Sequence, residues 1–219
     1  MADLQLVIFD CDGTLVDSET ISGKILARSL TALGLPTTGA EARAEYQGLL
    51  LGEIDALAAT KLGRALPEGW LEQFERDRAE AFRGELQAIE GAARAVTAIR
   101  ESGVTVCVAS QGKLEKTRLT LSLTGLRELF EERALFSAWS VPRGKPHPDL
   151  FLHAAGAMGV EPACCAVVED SPSGVQAARA AGMPVFAYSG DGDGSTLNEA
   201  GAVVFSSFEQ LPALLGVEA

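Results

Sequence analysis

The chain has 219 residues, of which 47% are hydrophobic, and its formal net charge at pH 7 is −12. This negative charge argues against nucleic acid or an anionic membrane as a partner. No apolar stretch approaches the roughly 20 residues of a membrane span, and the first residues lack the pattern of a signal peptide. We therefore expect a cytoplasmic protein with reduced cysteines, made of one large domain or a core with a smaller appendage.

The first predicted element is a buried strand over residues 4–9, followed by two aspartates, Asp10 and Asp12, one residue apart. Ionised carboxylates are costly to bury without a partner, so the strand itself gains nothing from them. In open α/β sheets, ligands bind beyond the carboxyl ends of the strands. The pair therefore indicates a metal and nucleophile site. The alternative is a polar turn that closes a hairpin.

From Asp17 to residue 87 the sequence predicts only helices, separated by glycine and proline. These helices span residues 20–33, 41–46, 53–62 and 68–83. We expect residues 17–87 to form a small all-helical domain. It would be inserted into a catalytic core made of residues 1–16 and 88–219.

From residue 92 onward, predicted helices and strands alternate. The helices are 92–101, 113–123, 149–158 and 172–181, and the strands are 104–109, near 134–137, 164–168 and 184–187. This alternation predicts an α/β fold, with a parallel sheet, helices on both faces and a Rossmann-like core. Residues 189–199 are rich in Gly, Asp and Ser, and we expect a mobile loop there.

Polar motifs follow the predicted strands of this core. Ser110 follows one apolar strand, Lys145 stands in a loop rich in proline, and Glu169 and Asp170 follow another strand. Together with the segment Asp-Cys-Asp-Gly-Thr that begins at Asp10, they resemble, in order, the four motifs of the haloacid dehalogenase-like superfamily.

Two further features indicate which subfamily and subgroup of this superfamily the chain resembles. The helical insert after the first strand is similar to the cap of subfamily I, the phosphoglucomutase-like group. Residues 85–91, together with Cys11 in the first motif, are similar to the subgroup that contains bacterial 6-phosphogluconate phosphatase.

The resemblance implies a phosphatase that works through an aspartyl-phosphate intermediate. Asp10 would attack phosphorus, and Asp12 would protonate the leaving oxygen and then activate the hydrolytic water. Ser110 would bind a phosphoryl oxygen, and Lys145 would pair with Asp10 and the phosphoryl group. The alternatives are a helix N-cap for Ser110 and a solvated loop position for Lys145.

The available metal ligands are oxygens, with no suitably placed imidazole or thiolate, and this favours Mg²⁺. The resemblance implies that Asp10, the backbone carbonyl of Asp12 and Asp170 bind the ion. Glu169 would bind it directly or through a water molecule.

The expected partner is a small phosphorylated metabolite, a sugar or sugar-acid phosphate, and we expect a monomer. The candidate substrate-binding residues of the helical insert and the core loops are Ser18, Glu19, Lys24, Gln47, Gly48, Gln111 and Lys113. For the two lysines, a solvated helix position is the alternative.

Two other activities stay open. β-Phosphoglucomutases share the four motifs and the cap, but they usually carry Gly-Val after the second aspartate and an arginine after a glycine loop of the cap. This chain has Thr14 and the leucines 49–51 there, so a phosphatase is favoured. Asp12 argues against dehalogenases and phosphonate hydrolases, in which that aspartate is replaced. A non-catalytic sensor of phosphorylated ligands is the remote alternative.

Overall fold

The computed structural model describes residues 4–46, 48–190 and 192–217. The chain divides into two compact units, one made of Met1–Val16 and Ala88–Ala219 and the other of Asp17–Gln87. We call the first the sheet unit and the second the helical unit. The helical unit is thus inserted into the sheet unit after its first strand.

The helical unit contains α1 (Glu19–Ala32), α2 (Gly39–Tyr46), α3 (Leu51–Leu62) and α4 (Trp70–Glu85). Buried apolar side chains of α1, such as Leu26 and Leu30, provide its packing face, and α4 contributes the buried rings of Phe74 and Phe82. Helix α3 begins before the predicted position, because the Glu53 carboxylate accepts a hydrogen bond from the Leu50 N–H, 2.7 Å away. Such a bond satisfies a donor that a helix start leaves unpaired.

The described residues of the sheet unit form one parallel sheet. Its strands are β1 (Leu6–Phe9), β2 (Thr105–Ser110), β3 (Leu135–Ser137), β4 (Cys165–Glu169), β5 (Val185–Tyr188) and β6 (Val203–Phe205). Their spatial order is β3-β2-β1-β4-β5-β6. From β1, the chain adds β2 and β3 on one side of the sheet and then β4, β5 and β6 on the other side. The carboxyl ends of β1 and β4 therefore form a topological switch point, where ligands bind in open α/β sheets.

Both faces of the central strand are covered. Leu6 and Ile8 belong to an apolar cluster with Phe151 on one face. Side chains alternate along a strand, so Phe9 points to the other face, where its ring meets the edge of Phe130 at a centroid distance of 6.3 Å. Burial on both faces explains the continuous apolar sequence of this strand.

The helices of the sheet unit follow the strands in alternation. They are α5 (Ala92–Glu101), α6 (Leu114–Leu123), α7 (Asp149–Met158), α8 (Pro172–Ala180), α9 (Ser195–Glu199) and α10 (Leu211–Leu215). The predicted α/β class with a parallel Rossmann-like sheet is confirmed. None of the helices in the described part of the chain combines the length and the apolar character that a membrane span requires.

The C-terminal part differs from the prediction. Residues 195–199 form α9, where we expected only a loop, and β6 and α10 were not predicted. Each of these elements has three to five residues, which is too short for hydrophobic periodicity to identify. Asp191, within the predicted loop, lies outside the described residues.

Candidate active site

The site lies at the carboxyl ends of β1 and β4, which are neighbours in the sheet. Phe9 stands opposite Val168, and the Asp10 N–H donates to the Val168 carbonyl at 2.9 Å. Parallel pairing therefore places Asp10 beside Glu169, although 158 residues separate them in the sequence. Asp10 is only 5% exposed and Glu169 is fully buried.

Lys145 stands between these two carboxylates. Its Nζ lies 2.5 Å from Asp10 Oδ1 and 2.5 Å from Glu169 Oε1, and its side chain is 4% exposed. Burial by itself would lower the pKa of the lysine, but the two carboxylates overcome this effect and raise it above its usual value. The ammonium group is therefore held in its charged form.

The ionised form of Asp10 is costly in this environment. Burial raises the pKa of Asp10 from an ordinary value of 3.8 to about 7, and the charge of Lys145 opposes this rise. The neighbouring carboxylates of Glu169 and Asp12 add to the rise. A further cation beside Asp10 would favour its ionised form.

Both carboxylate oxygens of Glu169 accept hydrogen bonds. Oε1 accepts from Lys145, while Oε2 accepts from the backbone N–H groups of Asp170 and Ser171, at 2.8 and 2.9 Å, and from the Ser171 hydroxyl. Ser171 also caps α8, since its hydroxyl accepts from the Gly174 N–H at 3.1 Å. These contacts fix Glu169 as the partner that holds Lys145 against Asp10.

Because Gly174 has no side chain, the carboxylate of Glu169 has room beside it. A Cβ atom at this position would lie 1.9 Å from Glu169 Cδ. We expect Gly174→Ala to lower the free energy of unfolding by about 1–3 kcal/mol, because the displaced carboxylate loses its donors. Chemical denaturation of the metal-free protein measures this change.

Gly156 offers a matched control for that substitution. It lies inside α7, as Gly174 lies inside α8, and its Cβ would meet nothing within 4 Å. Gly156→Ala should raise the free energy of unfolding by up to about 1 kcal/mol through helix propensity alone. Equal effects of the two substitutions would show that Glu169 does not need this space.

Residues of the loop that follows β1 contact the side chain of Asp170. The Thr14 hydroxyl, which is fully buried, donates to Asp170 Oδ1 at 3.0 Å. Gly13 has a φ of +79°, and a Cβ there would lie 2.1 Å from Asp170 Oδ2. Only glycine therefore fits between the two acidic segments, and this explains the Gly-Thr pair after the second aspartate.

Carboxylate oxygens of Asp10, Glu169 and Asp170 lie within 4.8 Å of one another. With Lys145, they leave an excess of two negative charges when all are ionised, which a divalent cation would balance. Oxygen-only donors of this kind suit Mg²⁺. The residues present therefore fit a hard divalent metal ion.

Asp12 lies against the end of β2. Its Oδ2 lies 3.4 Å from the hydroxyl of Ser110, a fully buried residue whose hydroxyl also accepts from the Gly112 N–H at 3.0 Å. Helix α6 begins at Leu114 with Lys113 as its N-cap, so Ser110 is not the cap of that helix. No sequence motif indicates Lys116, whose Nζ lies 2.5 Å from Asp12 Oδ1.

Two candidate substrate-binding residues of the core loops have protein partners. The Gln111 side-chain carbonyl accepts from the backbone N–H of Lys145 at 3.0 Å. Lys113 Nζ lies 5.1 Å from the centroid of the Trp139 ring, in a cation–π contact. Gln111 thus supports the loop that carries Lys145, and substrate binding by either residue stays a prediction.

The remaining candidates belong to the helical unit. Ser18 is buried at the start of α1, Glu19 is half-buried, and Lys24 and Gly48 are exposed. Gln47 lies outside the described residues. Their predicted contacts with a substrate stay predictions.

Comparison with known proteins gives concordant matches. The family model for haloacid dehalogenase-like hydrolases matches residues 4–182. The 6-phosphogluconate phosphatase of Escherichia coli K12 is 34% identical over 98% of this chain and 96% of that protein. Hexitol phosphatase A of the same organism is 29% identical, covering 93% of this chain and 91% of its own length.

A solved structure extends these matches. A HAD family hydrolase from Deinococcus radiodurans, with bound phosphate and sodium, is 33% identical and superposes with a TM-score of 0.80. The match covers 99% of this chain and 96% of that one. The resemblance predicted from the four motifs is confirmed.

Proposed function

Because the chain belongs to the haloacid dehalogenase-like hydrolase family, we propose that it is a Mg²⁺-dependent phosphatase of sugar or sugar-acid phosphates. The predicted enzyme class, a phosphatase hydrolase, agrees with the names of its relatives. The observation that carries the mechanism is the buried pair of Asp10 and Lys145 beside the carboxylate of Asp170.

In the first step, an Asp10 carboxylate oxygen attacks phosphorus and the bond from phosphorus to the ester oxygen breaks. Asp12 gives its proton to the departing oxygen, which leaves as an alcohol. Lys145 contributes positive charge beside the attacking carboxylate, and Ser110 donates a hydrogen bond to a phosphoryl oxygen.

In the second step, the Asp12 carboxylate takes a proton from a water molecule, whose oxygen attacks the phosphorus of the aspartyl-phosphate. The bond from phosphorus to the Asp10 oxygen breaks, inorganic phosphate leaves, and both side chains return to their starting states. Asp10 is buried and its carboxylate is fixed by Lys145, so the nucleophile is held ready for the next substrate.

Asp10 and Asp170, with the backbone carbonyl of Asp12, would bind Mg²⁺, and Glu169 would contact it directly or through water. When bound, the ion would supply Lewis-acid stabilisation of the charge that develops on the transferred phosphoryl group. Its charge would also favour ionised Asp10, whose pKa is raised to about 7 by burial.

The names of the relatives and the organisation of the chain support this substrate class. Proteins named 6-phosphogluconate phosphatase and hexitol phosphatase match more than nine-tenths of its length. We assign leaving-group recognition to the helical unit, with Ser18, Glu19, Lys24, Gln47 and Gly48 as candidate contacts. Fold and core residues do not encode the leaving group, so the exact metabolite needs a substrate panel.

Phosphate release tests this proposal. We expect hydrolysis of 6-phosphogluconate or a hexitol phosphate with Mg²⁺, and a loss of about 10²-fold or more after metal removal by a chelator. Because the metal competes with the proton on Asp10, apparent Mg²⁺ affinity should weaken as the pH falls below about 7. Release that does not depend on metal would contradict the proposal.

A further inference from the structure

Lys116 forms an ion pair that sequence motifs did not indicate. It lies on the first turn of α6, and its Nζ is 2.5 Å from Asp12 Oδ1. Both side chains are 15% exposed. By contrast, Arg94 and Glu209, which also belong to the sheet unit, form an ion pair in which each side chain is 72% exposed. Such surface pairs contribute little to stability or to the geometry of a site.

The stem of Lys116 is also restricted. Gly112 borders it so closely that a Cβ there would lie 3.2 Å from Lys116 Cδ. The same added atom would lie 3.4 Å from the Ser110 hydroxyl and 3.7 Å from Asp12 Oδ2. Lys116, Ser110 and Asp12 therefore converge on one backbone position at the end of β2.

The two oxygens of Asp12 have different neighbours. Oδ1 accepts from the ammonium group of Lys116, and Oδ2 lies 3.4 Å from the Ser110 hydroxyl, a longer and weaker contact. A charge-assisted hydrogen bond is the stronger of the two. Lys116 thus fixes the orientation of the carboxylate through Oδ1.

We propose that Lys116 is a positioning residue, which holds the Asp12 carboxylate in the orientation needed for proton transfer to and from the phosphoryl site. The inference rests on the proposed function, since Asp12 has this task only in a phosphatase. Correct placement of an acid–base group is required for its contribution, which is typically about 10²- to 10⁴-fold in rate.

Steady-state hydrolysis of p-nitrophenyl phosphate with Mg²⁺ tests the proposal. Lys116→Gln should lower kcat by about 10- to 100-fold and change KM by less than about twofold, because substrate binding is left intact. Lys116→Arg retains a cation and should recover part of the lost kcat. The matched control Arg118→Gln removes another cation of α6, which pairs with Glu132 at the surface, and should leave both constants unchanged.

A double-mutant cycle identifies the group through which Lys116 acts. In an Asp12→Asn background, assayed at high enzyme concentration, Lys116→Gln should lower kcat by less than about twofold. Equal losses in both backgrounds, or a raised KM with unchanged kcat, would overturn the proposal and identify Lys116 as a binder of the substrate anion. Thermal unfolding of each variant shows that it is folded.

The two claims fail in distinguishable ways. If the wild type hydrolyses p-nitrophenyl phosphate only with Mg²⁺ and intact Asp10, the proposed Mg²⁺-dependent phosphatase activity stands whatever Lys116 does. An unchanged kcat in Lys116→Gln would then overturn the positioning role alone. If the wild type hydrolyses neither p-nitrophenyl phosphate nor 6-phosphogluconate nor a hexitol phosphate with Mg²⁺, the proposed function fails and the positioning role fails with it.

Discussion

Asp10→Asn should lower kcat for phosphate release roughly 10⁴- to 10⁶-fold, as expected when a covalent nucleophile is lost. The asparagine amide has nearly the same shape as the aspartate carboxylate. Because the amide carries no negative charge, it cannot replace the carboxylate as the nucleophile that attacks phosphorus. The fold should persist, because the buried cluster loses a negative charge that burial disfavours. Activity near the wild-type level would show that Asp10 is not the nucleophile.

The same substitution should change how stability depends on pH. The pKa of Asp10 is raised from 3.8 to about 7 in the folded protein. Between these values the folded state binds more protons than the unfolded state, so the free energy of unfolding falls as the pH rises. Well below pH 4 and well above pH 7 this contribution is constant, and Asp10→Asn should lack it.

Chemical denaturation of metal-free protein at pH 5 and pH 8 measures this difference. We expect Asp10→Asn to gain stability relative to the wild type at pH 8, by an amount on the order of a few kcal/mol. Asp149→Asn is a suitable control, because the pair with the exposed Arg143 lowers the pKa of Asp149. Its effect should not change between these pH values.

Lys145→Met should impair both activity and stability. Without the lysine charge, Glu169 loses its cation in a buried site and the pKa of Asp10 rises further, so the protein should lose about 3–5 kcal/mol of unfolding free energy. In catalysis, the loss of one positioned donor should lower kcat roughly 10²- to 10³-fold. Denaturation in chelator at pH 8 and steady-state assays with Mg²⁺ measure the two effects.

Lys61→Met is the matched control for this substitution. Lys61 also pairs with a carboxylate, that of Glu45, but its side chain is 36% exposed. Removal of this surface pair should change stability by less than about 1 kcal/mol. If Lys145→Met and Lys61→Met lost equal unfolding free energy, the burial of Lys145 would not explain its contribution to stability.

Much of the site could be predicted because its polar residues follow apolar strands. Asp10, Ser110 and Glu169 each stand at or just beyond the carboxyl end of a strand, and parallel pairing brings such ends together. Lys145 lies against Asp10, and the catalytic roles predicted for these two residues stay predictions.

The contacts that hold those residues in place could not be predicted from the sequence. Lys116 reaches Asp12 because α6 directs its first turn toward the end of β1, a relation that depends on the tertiary structure. The space that Gly174 leaves for Glu169 likewise appears only when α8 is placed after β4. Sequence patterns specify elements and their order, whereas these contacts depend on distances between elements.

Short elements near the C-terminus show a second limit. Strand β6 has three residues and, within the described residues, lies at the edge of the sheet beside β5, while α9 has five residues. Neither provides enough turns or alternations to show a period. Tertiary packing therefore decides these segments.

Identification of the phosphorylated residue tests the central claim most directly. The wild type is mixed with p-nitrophenyl phosphate and Mg²⁺, quenched in acid during turnover, and digested for mass spectrometry. We predict one phosphoryl group on the peptide that contains Asp10, and none in Asp10→Asn. Turnover with the phosphoryl group on another residue, or with an undiminished rate in Asp10→Asn, would contradict the account.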